Sequence, residues 1–172
     1  MTDASPPVWL IDVDGVLNVF RPSWGVELTR VRVGFPIRFA RPLIDRVRAV
    51  HAGGTVEIRW STTWCGCRDM LNRLGRELDL DLPLAFGDRP MSKTWADMKV
   101  EAALAVLTEG RRLIWTDDSE VGAGRRLYPA LAQAEASGIA LLIEPESELG
   151  LQPEHLDLIE EFAGRIPEVL DR

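Results

Sequence analysis

Short apolar runs alternate with longer amphipathic stretches along most of this chain. Residues 8–13 (VWLIDV), 55–60 (TVEIRW), 112–115 (RLIW) and 139–143 (IALLI) are bounded by turn signals, which is typical of buried parallel strands. Apolar residues at helical spacing predict helices at 43–51, 65–78, 95–107, 123–136 and 153–164, and residues 82–86 predict a further short strand. Strands that alternate with helices predict an α/β fold, a three-layer domain with a central parallel sheet of the Rossmann-like kind.

One domain is expected to span residues 1–172, because no repeat, low-complexity tract or linker interrupts the chain. Residues 17–39 break the alternation, and the runs 31–33 and 37–39 predict a small hairpin around Gly34-Phe35-Pro36. Neither 17–42 nor 64–99 is long enough for an independent cap domain, which usually needs about 40 residues or more. We therefore expect an open site, shielded by the hairpin flap and the loop 87–91.

The composition favours a cytoplasmic protein with no membrane partner. Hydrophobic residues make up 46% and charged residues 27% of the chain, as in ordinary globular proteins. The start, MTDASPPVWL, has no basic stretch leading into an apolar run, and no window approaches the roughly 18 apolar residues of a membrane helix. Cys65 and Cys67 are too few and too close for a disulfide framework, so we expect two reduced thiols whose role stays open.

The net charge of −7 is unevenly distributed along the chain. Residues 144–172 hold nine acids against two arginines, which alone gives −7. Residues 21–48 instead hold seven arginines against two acids, a local excess of +5. This excess could attract an anionic substrate, or it could be an arginine-rich solvated surface.

Polar clusters follow three of the predicted strands at the point where each strand ends. They are Asp12 with Asp14, then Ser61 with Thr62 and Thr63, and then Asp117 with Asp118. The carboxyl ends of parallel strands face the crevice in which open α/β sheets bind ligands. Four carboxylates gathered there repel one another unless a cation neutralises them, and oxygen-only ligands favour magnesium. The pattern therefore predicts a metal-bound phosphate site.

The Asp12-Val13-Asp14-Gly15 sequence supplies two carboxylates at a sharp turn. Hydrolysis of a phosphate ester uses one group as an in-line nucleophile and another as a proton donor for the leaving oxygen. The alternative is that both acids only cap a turn, since acids before glycine are common in turns.

Four segments together resemble the haloacid dehalogenase-like (HAD) superfamily of phosphohydrolases. WLIDVDGVLN resembles its first motif, and EIRWSTTW, WADMKVEAA and LIWTDDS follow in the family's order between Trp9 and Ser119, about two thirds of the chain. The family also places a turn and a hairpin flap after the first strand, which the stretch 17–39 resembles.

This resemblance implies a role for each matched residue. Asp12 would be the nucleophile that forms an aspartyl-phosphate, and Asp14 would be the acid/base residue whose backbone carbonyl binds magnesium. Asp117 would bind the metal with support from Asp118, so the implied metal-binding set is Asp12, Asp14, Asp117 and Asp118.

The phosphate-binding positions in this resemblance have alternatives. Thr62 would hydrogen-bond the phosphoryl group, although Ser61 or Thr63 could take its place. Lys99 would neutralise charge between phosphate and nucleophile, although Lys93 could do so instead. Lys99 is preferred because it lies inside the helix that leads to LIWTDD.

The expected function is therefore that of a capless, magnesium-dependent phosphomonoester hydrolase. A non-catalytic phospho-acceptor or binding module is the main alternative, disfavoured because it would not need Asp14. A dehalogenase is disfavoured because the paired acids suit a metal-assisted mechanism. The substrate stays open among nucleotides, phosphorylated nucleic-acid ends, sugar phosphates and phosphoproteins, as does the oligomeric state.

Overall fold

A computed structural model describes residues 5–165 of the chain. The ends of the predicted domain 1–172 and the last part of the acidic segment 144–172 lie outside these residues. In chain order, the elements are β1 (Val8–Ile11), β2 (Thr29–Arg32), β3 (Pro36–Phe39), α1 (Arg41–Ala52), β4 (Glu57–Trp60), a short 3-10 helix (Thr63–Gly66), α2 (Arg68–Leu78), α3 (Trp95–Thr108), β5 (Leu113–Thr116), α4 (Glu120–Leu127), α5 (Pro129–Ala136), β6 (Ala140–Ile143) and α6 (Pro153–Gly164).

Four strands form a parallel sheet in the order β4-β1-β5-β6. Helices cover both faces of this sheet, so the predicted α/β fold with a central parallel sheet is confirmed. Strand β1 is fully buried because its alternate side chains face two separate cores. Trp9 and Ile11 pack in the core that includes α1, α2 and α6, whereas Val8 and Leu10 pack in the core that includes α3, α4 and α5. Continuous apolar runs are what a sheet buried on both faces requires.

Three predicted elements differ from the observed ones. The predicted helix 65–78 is a 3-10 helix followed by α2, because Cys67 leaves the helical region with φ −129° and ψ 64°. The predicted helix 123–136 is broken between Tyr128 and Pro129, where proline has no N–H to continue the first helix and starts the second. Residues 82–86 form only an isolated bridge between Leu84 and Trp60 rather than a strand.

The predicted hairpin is present and lies in the segment between β1 and α1. Strands β2 and β3 pair antiparallel, with Arg30 opposite Arg38. Ile37 and Phe39 are buried in the core, and the Val19 amide donates to the Arg38 carbonyl at 2.9 Å. The hairpin is therefore anchored beside the chain that leaves β1.

Two further expectations concern the whole chain. Among residues 5–165, every helix is too short or too polar to cross a membrane. Cys65 is buried and Cys67 is exposed, and both are free thiols.

Candidate active site

The sheet order creates a crevice between β1 and β5. After β1 the chain crosses through α1 to β4 on one side, whereas after β5 it crosses through α4 and α5 to β6 on the other side. Connections that leave neighbouring strands in opposite directions open a gap at the carboxyl end of the sheet, where α/β proteins bind ligands. Asp12 follows β1 and Asp117 follows β5, so both acids border this gap.

The pairing of the sheet continues one residue beyond three strands. The Asp12 amide donates to the Thr116 carbonyl at 3.2 Å, and the Ser61 amide donates to the Ile11 carbonyl at 2.9 Å. The Asp117 amide donates in the same way to the Ile143 carbonyl at 3.2 Å. Because side chains alternate along a strand, Asp12, Ser61 and Asp117 belong to the face that carries Val8 and Leu10. Helix α3 covers this face and brings Lys99 close to Asp12 and Asp117.

Lys99 joins the two acids across the crevice. Its Nζ lies 2.6 Å from Asp12 Oδ2 and 2.7 Å from Asp117 Oδ2. Lys99 is 3% exposed, Asp12 5% and Asp117 0%, so all three charged groups are removed from water. Lys93 lies elsewhere, in a solvent-accessible ion pair with Glu101. Of the two lysines of the chain, the structure brings only Lys99 to Asp12.

The second oxygen of each acid is held by neighbouring N–H groups. Asp12 Oδ1 accepts from the Val13 amide at 2.7 Å. Asp117 Oδ1 accepts from the Ser119 amide at 3.0 Å, the Ser119 hydroxyl at 3.1 Å and the Glu120 amide at 2.8 Å. These amides lie at the start of α4, where free N–H groups favour negative charge. Both carboxylates are therefore fixed in orientation.

The buried charges change the acidity of the groups that carry them. Burial raises the pKa of the Asp12 carboxyl to about 7, although Lys99 opposes the shift and the negative charge of Asp117 adds to it. Burial alone would lower the pKa of Lys99, but Asp12 and Asp117 outweigh it and hold that pKa above its ordinary value. When both acids are ionised, one ammonium faces two carboxylates, and the site then carries a negative charge that a further cation would compensate.

A third carboxylate completes a cluster of oxygen ligands. Oxygens of Asp12, Asp117 and Asp118 all lie within 4.8 Å of one another. Asp118 approaches the chain so closely that a Cβ on Gly15 would lie 2.2 Å from its Oδ2. Gly15 also has φ +69°, a conformation that side chains disfavour. Both the turn and the close approach of Asp118 therefore require glycine at this position.

Asp14 lies apart from this cluster and is exposed. Its Oδ1 accepts from Asn18 Nδ2 at 2.7 Å, and its Oδ2 accepts from Trp64 Nε1 at 2.8 Å. The two acids of the Asp-x-Asp sequence therefore have different surroundings: Asp12 is buried beside a lysine, and Asp14 is exposed between two neutral donors.

The three hydroxyls after β4 also differ. Ser61 and Thr62 are fully buried, whereas Thr63 is exposed. The Thr62 hydroxyl accepts from the Trp64 amide at 3.3 Å, and its interaction with Asp12 partly opposes the rise that burial causes in the pKa of Asp12. Ser61 Oγ has no hydrogen-bond partner within residues 5–165, and an unsatisfied buried hydroxyl is costly. Ser61 and Thr62 are thus the hydroxyls nearest in register to Asp12.

Sequence reasoning gave no role to Asn18 or Ser119, and it considered Trp64 only as one of three tryptophans that could stack on a substrate ring. Asn18 could have been found from its position four residues after Asp14, within reach of the same turn. Trp64 directly follows the Ser-Thr-Thr run, but only the fold shows that its indole turns toward Asp14.

Neither a protein-family model, nor a curated protein, nor a solved structure matches this chain. What the site can do chemically therefore follows from its own groups. It holds an anchored buried carboxylate, a buried ammonium, a set of oxygen ligands suited to a hard cation, and a second carboxylate at the open side.

Proposed function

We propose that this protein is a magnesium-dependent phosphomonoester hydrolase of the capless HAD-like type, acting through an aspartyl-phosphate on Asp12. The observation that carries the proposal is the Lys99 ammonium, bonded to both Asp12 and Asp117 in the crevice. A buried group of two acids and one lysine contributes little net stability, because removing the charges from water is costly. Its chemical use is a better reason for its presence.

Asp12 has the features of a positioned nucleophile. The Val13 amide and Lys99 hold its two oxygens, so its orientation is set before a substrate arrives. Lys99 also supplies positive charge where the oxygens of a transferring phosphoryl group would gather. Positioning and charge neutralisation supply most of the catalysis in phosphoryl transfer.

The oxygen ligands fit magnesium. Asp12, Asp117 and Asp118 provide carboxylates only, and magnesium is bound through one or two carboxylates together with phosphate and water. The Asp14 backbone carbonyl is a further ligand that the family resemblance implies. When bound, the ion would neutralise charge on the phosphoryl oxygens. Its site also explains why three carboxylates lie so close together.

Asp14 is suited to transfer protons at the open side of the crevice. As a carboxylate oxygen of Asp12 bonds to phosphorus, the bond from phosphorus to the ester oxygen breaks, and Asp14 gives that oxygen a proton. Asp14 then takes a proton from a water that attacks phosphorus, which releases phosphate and restores Asp12. A non-catalytic phospho-acceptor would not need a second carboxylate held by Asn18 and Trp64.

The hairpin favours a substrate with more than one phosphate, such as a nucleotide or a phosphorylated nucleic-acid end. Arg30 and Arg32 are exposed, and Arg30 lies directly opposite Arg38. The ion pairs within residues 5–165 include none of these three arginines. Like charges opposed across strands repel, and a bound polyanion would relieve the repulsion.

Phosphate release tests the proposed function. Phosphorylated metabolites, oligonucleotides with a terminal phosphate and p-nitrophenyl phosphate are each incubated with and without Mg²⁺. We expect Mg²⁺-dependent release by the natural protein and by Asp81→Asn, a matched control because Asp81 is an exposed loop residue. Asp12→Asn should release no phosphate while remaining folded, with a cooperative melting transition. Turnover by folded Asp12→Asn would contradict the assignment of the nucleophile.

A further inference from the structure

A buried indole holds the exposed acid/base residue. Trp64 is 4% exposed, yet its Nε1 donates to the exposed Asp14 Oδ2 at 2.8 Å. The bond satisfies the N–H of a buried indole. The exposed carboxylate could satisfy its hydrogen bonds with water instead, so Asp14 does not need this bond to compensate for burial. Its consequence is orientation, because a bond from a fixed donor restricts rotation of the carboxyl group.

Trp64 is itself fixed by its backbone and by the hairpin. Its amide donates to the Thr62 hydroxyl at 3.3 Å where the 3-10 helix begins. The ring of Phe35, in the turn between β2 and β3, meets the indole edge-on with centroids 4.8 Å apart and planes at 63°. This turn also lies close to α2, since a Cβ on Gly34 would lie 2.9 Å from Met70 Sδ. The end of the hairpin therefore supports the indole that holds Asp14.

The other donor to Asp14 is also connected to the hairpin. Asn18 Nδ2 donates to Asp14 Oδ1, and Asn18 Oδ1 accepts from the Arg38 amide in β3 at 3.0 Å. Each carboxylate oxygen of Asp14 is thus linked to the hairpin through one side chain, by way of Trp64 or Asn18.

We propose that Trp64 is a positioning residue for Asp14, and that Phe35 keeps Trp64 in place. The proposal rests on the proposed function, in which Asp14 protonates the leaving oxygen. A carboxylate oxygen has two lone-pair directions, so Trp64 can occupy one while the other faces the leaving oxygen. A restrained carboxyl group spends more of its time in reactive geometry.

The test compares two substrates that differ in their need for a proton. The leaving group of p-nitrophenyl phosphate departs readily as an anion, whereas the alkoxide of glycerol phosphate needs protonation. Trp64→Phe keeps an aromatic ring against Phe35 and removes the indole N–H together with part of the ring. We expect kcat/KM for glycerol phosphate to fall about 10-fold, a fraction of the full effect of general acid catalysis. The kcat/KM for p-nitrophenyl phosphate should stay within about 2-fold, because kcat/KM reports transfer to Asp12 and not the later attack of water that both substrates share.

The matched control is Trp24→Phe. Trp24 also uses its indole N–H, but it donates to the Leu151 carbonyl at 2.8 Å rather than to Asp14. This variant should leave the ratio of the two kcat/KM values unchanged, and Phe35→Leu should change that ratio in the direction of Trp64→Phe but less. An equal loss of kcat/KM on both substrates in Trp64→Phe, or no loss on either, would overturn the proposal.

A second measurement separates this proposal from the proposed function. The indole ¹⁵N–H resonance of Trp64, identified by its loss in Trp64→Phe, should shift in Asp14→Asn and in Phe35→Leu. A resonance that stays unchanged in both variants would overturn the positioning role. Absence of hydrolysis in the natural protein, with the shifts still observed, would instead contradict the proposed function and leave the contact to Asp14 established.

Discussion

The floor of the crevice, formed by Asp12, Lys99 and Asp117, differs from its rim, formed by Asp14, Trp64 and the hairpin β2–β3. On the floor every charged group is buried and bonded to an opposite charge. On the rim the carboxylate is exposed and bonded to neutral donors. The two regions are adjacent in sequence, since Asp12 and Asp14 are separated only by Val13.

This difference divides the proposed work between the two regions. Electrostatic interactions strengthen where water is excluded, so the floor suits the nucleophile, the metal and the lysine. A proton donor must reach the leaving group and exchange with water, which suits a residue at the open rim. Changes to the floor should therefore alter both catalysis and stability, whereas changes to the rim should alter catalysis selectively.

The largest expected effect distinguishes the two lysines. Lys99→Ala should lower kcat/KM by roughly 10³-fold, because a buried charge beside the phosphoryl group acts most strongly in the transition state. It should also destabilise the protein by about 3–5 kcal/mol, since two buried carboxylates lose their partner. Lys93→Ala breaks only the accessible ion pair to Glu101 and should change kcat/KM by less than about 3-fold.

Steady-state kinetics with denaturant melts of both variants check this prediction. Lys99→Arg keeps the positive charge, so it provides a measurable protein where Lys99→Ala does not fold. A large loss of kcat/KM in Lys93→Ala, with little loss in Lys99→Ala, would reverse the assignment of the phosphate-binding lysine.

The next prediction distinguishes the effect of a close contact with Asp118 from the effect of backbone strain alone. Gly15 and Gly25 have similar φ values of +69° and +66°, but a Cβ meets the Asp118 carboxylate only at Gly15, with nothing within 4 Å at Gly25. Each alanine substitution should cost about 1–2 kcal/mol for its backbone conformation. Only Gly15→Ala should also displace Asp118 and weaken Mg²⁺ binding by about 10-fold, because a charged oxygen ligand is lost. Calorimetric titration with Mg²⁺ measures the difference, and equal affinities in the two variants would exclude Asp118 as a ligand.

A third effect is the pH dependence of stability, which belongs to the floor. Burial raises the pKa of Asp12 from an ordinary 3.8 to about 7 in the metal-free protein. The folded state then binds more protons than the unfolded state between these values, so this contribution to stability is complete below about pH 4 and is lost as pH rises through 7. Asp12→Asn should make the melting temperature less dependent on pH across this window.

Stabilisation of the protein by magnesium should instead increase as pH rises over the same window. The ion competes with the proton for Asp12, so its stabilising effect should be larger at pH 8 than at pH 5. Melting curves with and without Mg²⁺ at both pH values test this. A constant gain in melting temperature at both would contradict binding at Asp12.

The smallest effect belongs to the rim and concerns the substrate. Arg30→Gln and Arg32→Gln should each weaken kcat/KM for a phosphorylated oligonucleotide by about 3–10-fold at low salt and less at moderate salt, since exposed charges are screened. A mononucleotide with the same terminal phosphate should be affected less. Arg73→Gln is the matched control, because Arg73 is exposed on α2 outside the hairpin. Preference for the mononucleotide, with no effect of either hairpin arginine, would exclude a large anionic substrate.

The sequence predicted the floor better than the rim. Apolar runs that end in Asp12 and Asp117 define both the strand and its carboxyl end, so a parallel sheet brings the two acids together. The preference for Lys99 over Lys93 followed from its place inside the helix before β5. These residues are tied to regular elements whose periodicity is visible in a single sequence.

The rim depends on irregular structure, which has no such period. The contact between Trp64 and Asp14 spans 50 residues and requires both the turn at Gly15 and the 3-10 helix after Thr62. Residues 82–86 were wrongly predicted as a strand because apolar character alone does not supply a pairing partner; Pro83 lacks the N–H that a longer ladder would use. The break at Pro129 had a visible signal that the helical spacing around it obscured.

The most direct test of the central claim is the capture of phosphate on Asp12. Wild-type protein is mixed with Mg²⁺ and a substrate that it has been shown to hydrolyse. The reaction is quenched in acid within one turnover, and the protein is digested for mass spectrometry. We predict one added phosphoryl group on the peptide that contains Asp12, located at Asp12 by fragmentation and absent from Asp12→Asn. An unmodified peptide during confirmed turnover, or a phosphoryl group on Asp14 instead, would contradict Asp12 as the nucleophile.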